Sequence, residues 1–268
     1  MKVSIVTISF NQARFLEAAI RSVVEQDYPD IEYILVDPGS TDGSRDIIEK
    51  YRDRIAHVIL DPDEGPADGL NKGFRLATGE IYGFLNSDDI LLSGAVSSAV
   101  DFFKKHPEVD VVSGDALIID KDGKELRKSY SDRFSLKRFA YGACVLLQPS
   151  TFFRKDAFWE VGGFNRQNRR AWDGELWVDM ALKGKRFALS REFWSGFRLH
   201  DTGITATGGD EDPIRTFHDE MFRRIMGREK RMADRWMAYW FRIIRHILNP
   251  KDTIERVLHG PIYGRYKN

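Results

Sequence analysis

Short apolar runs alternate with amphipathic stretches through the first part of the chain. Val3–Phe10, Ile31–Val36, Ala56–Leu60, Ile81–Leu85 and Val109–Gly114 read as buried strands. Between them, Arg14–Glu25 carries Phe15, Ala18, Ala19 and Val23 on one side, as an amphipathic helix does. Three more helices follow: one running on to about Arg52 with Ser40, Thr41 or Asp42 as its cap, then Ala67–Ala77, then Ser93–His106. Strands alternating with helices predict an α/β fold with a largely parallel sheet covered on both faces.

After residue 115 the rhythm changes. Ala116–Asp120 and Glu125–Ser129 flank a Lys121-Asp122-Gly123-Lys124 turn and predict a hairpin. Gln148–Phe153, Arg186–Leu189 and Gly196–His200 read as further short strands, and Lys155–Val161 and Asp173–Lys183 as helices, the second stopped by Gly184. The expected organisation is a Rossmann-like domain over residues 1–210, split into halves 1–115 and 116–210, followed by a helical extension over 211–268. From about Pro213 the chain is helical and basic. Met232, Trp236, Tyr239, Trp240, Ile243, Ile244 and Ile247 form a stripe flanked by Arg235, Arg242 and Arg245. Two readings stand: a helix lying in a membrane interface, or a helix packed on its own domain.

Composition changes this picture little. With 41 basic and 41 acidic residues among 268 the net charge is zero, so nothing pulls the chain toward nucleic acid. The charge is unevenly placed. From Arg215 onward there are 13 basic and 6 acidic residues, making the tail about +7 and the remainder about −7. The lone Cys144 excludes an internal disulfide and a cysteine zinc site. An apolar strand at the N-terminus has no signal-peptide layout, and no apolar run approaches the ~20 residues of a membrane span. The expectation is a cytoplasmic protein, with the tail available for peripheral contact at the inner face of the membrane.

Candidate chemistry concentrates at Asn86-Ser87-Asp88-Asp89, where the run Ile81–Leu85 stops at a pair of carboxylates. Strand ends of open α/β sheets are where ligands bind. Residues two apart on an extended segment point the same way, so Asn86 and Asp88 can address one object. Hard oxygen ligands suit Mg²⁺ or Mn²⁺, which commonly carry substrate phosphates. These residues also have strong turn and cap preferences, so a plain turn explains them too.

Taken together, the motifs resemble the inverting glycosyltransferases of family two, which have the GT-A fold. The resemblance rests on Val3–Asn11, on Tyr33–Ser44, and on Asp63–Gly73 with Ala77-Thr78-Gly79-Glu80 leading into Asn86–Asp89. It continues through Gln148–Phe153, Val161-Gly162-Gly163-Phe164 and Trp172–Trp177, so it covers roughly residues 3–200, with six weak motifs in the right order.

The resemblance implies a nucleotide-sugar donor, with a UDP-sugar favoured, held by Ser9, Phe10, Asn11, Asp37, Asp68, Asn71, Asn86, Ser87 and Arg198. It implies Asp88 and His200 as ligands of Mn²⁺ or Mg²⁺, and Asp173 as the base that deprotonates an acceptor hydroxyl, with Glu175 as the runner-up. Asp173 also fits a helix N-cap. The chain departs from the family pattern at Asn86, where Asp is frequent, and at Pro38, where many relatives carry Asp. Processive synthases carry Gln-x-x-Arg-Trp after the base; Gln167–Trp172 is one residue too long and precedes it, which favours single-sugar transfer to a glycan or lipid-linked acceptor in surface polysaccharide or glycolipid assembly. Two rivals are a sugar-phosphate nucleotidyltransferase and a non-catalytic sugar-nucleotide-binding module. The first calls for a Gly-rich loop after the first strand, and Ser9–Arg14 contains no glycine.

Overall fold

The computed structural model describes residues 1–201 and 211–260, with side chains from 215 onward in the second segment. The remainder of the expected tail, 261–268, and the end of the expected domain, 202–210, lie outside the described residues.

In chain order the elements are β1 (Val3–Ile8), α1 (Ala13–Val24), β2 (Ile31–Val36), α2 (Ser44–Lys50), β3 (His57–Ile59), α3 (Pro66–Leu76), β4 (Ile81–Asn86), β5 (Ile90–Leu91), α4 (Ala95–Lys105), β6 (Val111–Ile119) and β7 (Glu125–Ser129). There follow α5 (Leu136–Ala140), β8 (Thr151–Arg154), α6 (Lys155–Glu160), α7 (Trp172–Leu182), β9 (Phe187–Arg198), α8 (Glu211–Met226), α9 (Met232–Leu248) and α10 (Pro250–His259).

All nine strands join one mixed sheet in the order β3-β2-β1-β4-β8-β6-β9-β5, with β7 beside β6. β1 runs parallel to both β2 and β4, and Ile8 is level with Val36 on one side and Asn86 on the other. The carboxyl ends of these three strands therefore share one edge. Their near-continuous apolar sequences follow from burial on both faces. Ile5, Tyr33 and Leu35 pack against Leu16, Ile20, Val96 and Phe103 of α1 and α4. Val6, Ile34 and Val36 pack against Leu70, Phe74, Phe158 and Trp177 of α3, α6 and α7. Gly73 lets α3 approach β1 closely, since a Cβ there would lie 2.4 Å from Val6 Cγ1.

The structure corrects several boundaries. Val109–Gly114 and Ala116–Asp120 form one strand, β6, which runs through residue 115 and keeps the sheet continuous across the two expected halves. Arg186–Leu189 and Gly196–His200 likewise merge into β9. In both cases interior polar residues read as breaks. Asp115, Ser113, Ser131, Ser150 and Ser195 are buried and answer one another: Ser131 N–H donates to Asp115 Oδ1 at 2.9 Å, and the Ser150 hydroxyl donates to the Asp115 carbonyl at 2.8 Å. Gln148–Ser150 is a 3-10 turn, so the strand there starts at Thr151. The two-residue β5 was not anticipated; it pairs with β9, Ile90 level with Gly196. Helix α2 is not capped by Ser40, Thr41 or Asp42. Its N-cap is Gly43, at φ 95°, and Asp42 holds Ser44 N–H and the Ala13 N–H instead.

The tail has two different sides. Its inner side packs on the domain. Tyr141 stacks on Phe241 at 5.0 Å and meets Phe222 edge-on at 5.4 Å. Arg245, read from the sequence as a flank of the stripe, is buried: it donates to Asp132 at 2.6 Å and Asp252 at 2.9 Å. The outer side is open, with Met232, Trp236, Tyr239, Trp240 and Ile247 exposed alongside Ile254, Val257 and Leu258 of α10. Among the described residues no helix is long and apolar enough to cross a membrane.

Asp115 yields a test of this polar interior. Burial pushes its carboxyl up to about 6, against only partial relief from the Ser131 N–H and Arg191. The folded value lies above the unfolded one, so a cost is present above about pH 6 and disappears as pH falls toward 4. Asp115→Asn removes this titration. Urea midpoints should show the variant gaining about 2–3 kcal/mol relative to the parent between pH 4 and pH 8.

Candidate active site

A cleft of about 820 Å³ opens at the shared strand edge. Ser9 and Phe10 follow β1, Pro38 follows β2, and Asn86, Ser87, Asp88 and Asp89 end β4. Arg198 and His200 enter from the end of β9, and Asp173 from the first turn of α7.

The β4 end is rigidly held. Asn86 Nδ2 donates to Gln148 Oε1 at 3.1 Å, and Gln148 Nε2 donates to the Phe84 carbonyl at 2.8 Å. That leaves Asn86 Oδ1 buried without a hydrogen-bond partner among the described residues, like Ser9 Oγ. Asp89 points inward and accepts the Arg198 N–H at 2.9 Å. Burial and the adjacent Asp88 charge push its carboxyl up, while Arg198 opposes the rise. Asp88 faces the cleft, with Oδ2 3.0 Å from His200 Nε2. The His200 ring is buried and leans on Phe15, centroids 4.5 Å apart.

This pair was tested against the divalent ion that the family resemblance implies. The carboxylate oxygen and the imidazole nitrogen lie in direct contact, 3.0 Å apart, at the cleft, and each is a possible metal donor. Among the described residues no group of three or more His, Cys, Asp or Glu side chains could hold a metal. Protein ligation would thus be sparse, leaving coordination positions for diphosphate oxygens, as magnesium-type sites usually do.

Asp173 is half-buried and lines the same cleft. The helix cap is Ala171, so Asp173 is not the N-cap but the second residue of α7. Burial raises its carboxyl, opposed by the Gly174 N–H and its own. A raised carboxylate is a better proton acceptor near neutrality. Glu175, the runner-up, is occupied: it accepts from Asn168 at 2.8 Å, Asn165 at 3.1 Å and Arg224 at 3.0 Å. It anchors the loop before α7.

Other expected site residues have different work. Arg198 donates through Nε to the Asp88 carbonyl at 2.7 Å and through Nη1 to the Asp120 and Lys121 carbonyls at 3.0 and 3.3 Å, so it positions the β4 end. Asn11, at φ 53°, accepts the Thr41 N–H at 2.9 Å and donates its own N–H to Ser40 Oγ at 2.8 Å. It joins two loops and does not line the cleft. Asp37 Oδ1 receives Gly39 and Ser40 N–H groups and Arg45, leaving Oδ2 buried behind Pro38 without a hydrogen-bond partner among the described residues. Asp68 and Asn71, expected to face a ribose and sugar together, lie off the cleft. Asp68 is bridged to Arg166 at 2.9 Å and Lys72 at 3.3 Å. Asn71 clamps Phe164 from both sides, donating to its carbonyl at 2.8 Å and accepting its N–H at 3.0 Å.

Sequence reasoning missed Asp63, Arg169, Arg170 and Trp172 as cleft residues, and the tail residues Arg245 and Arg256. Asp63 stands in one of the motifs and Arg169-Arg170 lies one residue before Trp172-Asp173, so their positions carried a signal. The tail arginines carried none.

The clamp assignment can be checked directly. Asn71→Ala leaves two buried backbone groups unanswered and should cost about 1–3 kcal/mol in urea unfolding, with ligand affinity of the folded protein within about twofold of the parent, a difference under ~0.5 kcal/mol.

Comparison with known proteins was made against this geometry. The description "Glycosyl transferase family 2" matches residues 4–162. An uncharacterized glycosyltransferase of Nostoc is 30% identical over 211 residues, 75% of this chain but only 65% of that protein's length. A GalNAc(5)-diNAcBac-PP-undecaprenol beta-1,3-glucosyltransferase of Campylobacter jejuni is 35% identical over 242 residues, 87% of this chain and 76% of the other. Among solved structures, S. aureus TarS 1-349 in complex with UDP-GlcNAc superposes with a TM-score of 0.67 at 20% identity, over 96% of this chain and 74% of that one. The mannosyltransferase PcManGT of Pyrobaculum calidifontis, in complex with GDP-Man and Mn²⁺, gives 0.65 at 19% identity over 96% and 73%. On these matches the chain belongs to glycosyl transferase family 2 and has the GT-A fold.

Proposed function

We propose that this protein is an inverting glycosyltransferase that moves a sugar from a nucleotide-diphosphate sugar to an acceptor hydroxyl. The observation that carries the reading is that Asp173, Asp88 and His200 line one cleft. Exposed Phe10 offers a ring for base stacking beside Ser9. The unanswered oxygens of Asn86 and Ser9 offer acceptors for ribose hydroxyls. Asp88 and His200 would hold Mn²⁺ or Mg²⁺, which when bound supplies Lewis-acid neutralisation of the departing diphosphate.

On the acceptor side Asp173 takes the proton of the attacking hydroxyl. The new carbon–oxygen bond forms at the anomeric carbon as the bond to the diphosphate breaks on the opposite face, so configuration inverts. Half-burial at a helix start fixes the carboxylate and raises its proton affinity.

The donor reading favours a UDP-sugar, supported by the UDP-GlcNAc complex of the TarS neighbour. The acceptor reading is a glycan or lipid-linked saccharide in surface polysaccharide or glycolipid assembly. It is supported by the undecaprenol-linked substrate in the name of the Campylobacter relative. The exposed aromatic and aliphatic residues of α9 and α10, amid basic charge, support peripheral contact with a lipid surface.

Thermal shift and turnover with UDP-, GDP- and dTDP-sugars, with and without Mn²⁺, test the proposal. One nucleotide class should stabilise the parent in a metal-dependent way, and Asp88→Ala should lose that stabilisation. Asp173→Asn should keep nucleotide affinity and lose about 10³-fold or more in kcat, in the range of a lost general base with its positioning. Retained turnover in Asp173→Asn would overturn the base assignment, and no stabilisation by any nucleotide would overturn the donor site. The parent's kcat/KM should fall on the acid side with an apparent pKa above the usual ~3.9 of aspartate, because the active form is the deprotonated carboxylate.

A further inference from the structure

The ladder between β4 and β8 covers only Ile81–Gly83. One residue further on, the Phe84 carbonyl is answered by a side chain, Gln148 Nε2, at 2.8 Å. The backbone around Gln148 is held in turn. Leu147 N–H donates to Ser131 Oγ at 3.1 Å, and the Leu147 carbonyl accepts the Thr151 hydroxyl at 2.9 Å. The buried Ser150 hydroxyl donates to the Asp115 carbonyl at 2.8 Å. Gln148 therefore reaches the end of β4 from a fixed base.

A carbonyl has no hydrogen, so the Phe84 oxygen accepts only from the NH₂ end of the Gln148 amide. Turning that amide over would set Oε1 against the Phe84 oxygen. With Nε2 committed, Oε1 faces Asn86 and accepts Asn86 Nδ2 at 3.1 Å. Oδ1 is then the Asn86 atom left without a hydrogen-bond partner among the described residues, and it is buried. Ser9 Oγ is in the same position, and Ser9, Asn86 and Gln148 all line the cleft. A buried acceptor with no donor in the protein calls for one from a ligand. An ionised aspartate at 86 would set a second acceptor against Gln148 Oε1, with no proton between them.

We propose that Gln148 is a positioning residue: it fixes the Asn86 amide so that the oxygen accepts a ribose hydroxyl of the nucleotide, and it makes asparagine the residue required at 86. The ribose rests on the transferase reading; the relay from Phe84 through Gln148 to Asn86 stands on the geometry. Gln148 acts by excluding the other amide orientation, in which the Asn86 NH₂ would take the place of its oxygen. The relay also gives a physical reason for the chain's departure from the frequent aspartate at this position.

The test has two arms on the full chain at neutral pH. The first, without ligand, measures urea unfolding of Asn86→Asp in the parent and in a Gln148→Met background. Asn86→Asp should lower the folding equilibrium constant about tenfold in the parent, as a buried clash of acceptors does. With Gln148→Met the penalty should fall to within about threefold, because the opposing oxygen is gone. An equal penalty in both backgrounds would overturn the relay. The second arm measures affinity for UDP and GDP against their 2′,3′-dideoxy forms. Gln148→Met should cut the parent's preference for the ribose form at least about threefold, and should cut nothing further in an Asn86→Ala background. Gln148→Glu separates positioning from support. It keeps an oxygen for Asn86 Nδ2 and loses the bond to Phe84, so it should lose stability yet keep the preference. A preference unchanged in Gln148→Met, lost in Gln148→Glu, or lost additively with Asn86→Ala would overturn the positioning role. A parent that binds neither nucleotide would sink the transferase reading and the ribose with it, while the ligand-free arm still decides the relay.

Discussion

The end of β9 is tied to the end of β4 by one group of hydrogen bonds, and the cleft exists because of it. Asp89 accepts the Arg198 N–H, and the Arg198 side chain in turn takes the carbonyls of Asp88, Asp120 and Lys121. A buried carboxylate and a buried guanidinium each demand partners, because an unanswered charge in the interior is costly. Satisfying both locks residues about a hundred positions apart into one corner. Two residues beyond Arg198, His200 lies against Phe15 and Asp88. Asp89 is thus the inward partner of the pair and Asp88 the outward one.

The start of α7 is held by a different set of contacts. Glu175 gathers Asn165, Asn168 and Arg224, and Asn71 grips Phe164, so the segment before α7 is fixed at both ends. Arg224 belongs to α8, which means the C-terminal extension helps to place the start of α7 and Asp173 with it. The extension is therefore part of the site's architecture as well as a surface. Its ion cluster around Asp132 and Asp252 joins it to the floor of the same cleft.

Polar residues inside elements explain most of the differences between the sequence reading and the structure. Asp115 interrupts an apolar run and so reads as a strand end, yet the strand continues through it, with the Ser131 N–H answering its Oδ1 and the Ser150 hydroxyl its carbonyl. Asp68 and Asn71 stand one helical turn apart and read as a pair facing a ligand. Arg166 on Asp68 and Phe164 on Asn71 lie roughly ninety residues away in the chain, so local spacing, which offers only Lys72 to Asp68, does not reveal these engagements. Asn11 misled for a similar reason: its contacts run across to the loop after β2.

What could be read from the chain alone was whatever depends on short-range pattern. The run lengths of β1, β2 and β4 and the amphipathic spacing of α1 and α3 identify a covered parallel sheet, because burial on two faces or one dictates apolar content locally. The strand ends at Ser9, Asp37 and Asn86–Asp89 follow from the same pattern, since chemistry gathers where such strands stop. The partners of each polar side chain could not be read this way. Arg198 as a clamp, Glu175 as an anchor and Arg245 as a buried bridge all result from folding the second half and the extension against the first. Electrostatic and hydrogen-bond pairing is settled by proximity in space, and across a hundred residues only the packed fold supplies it.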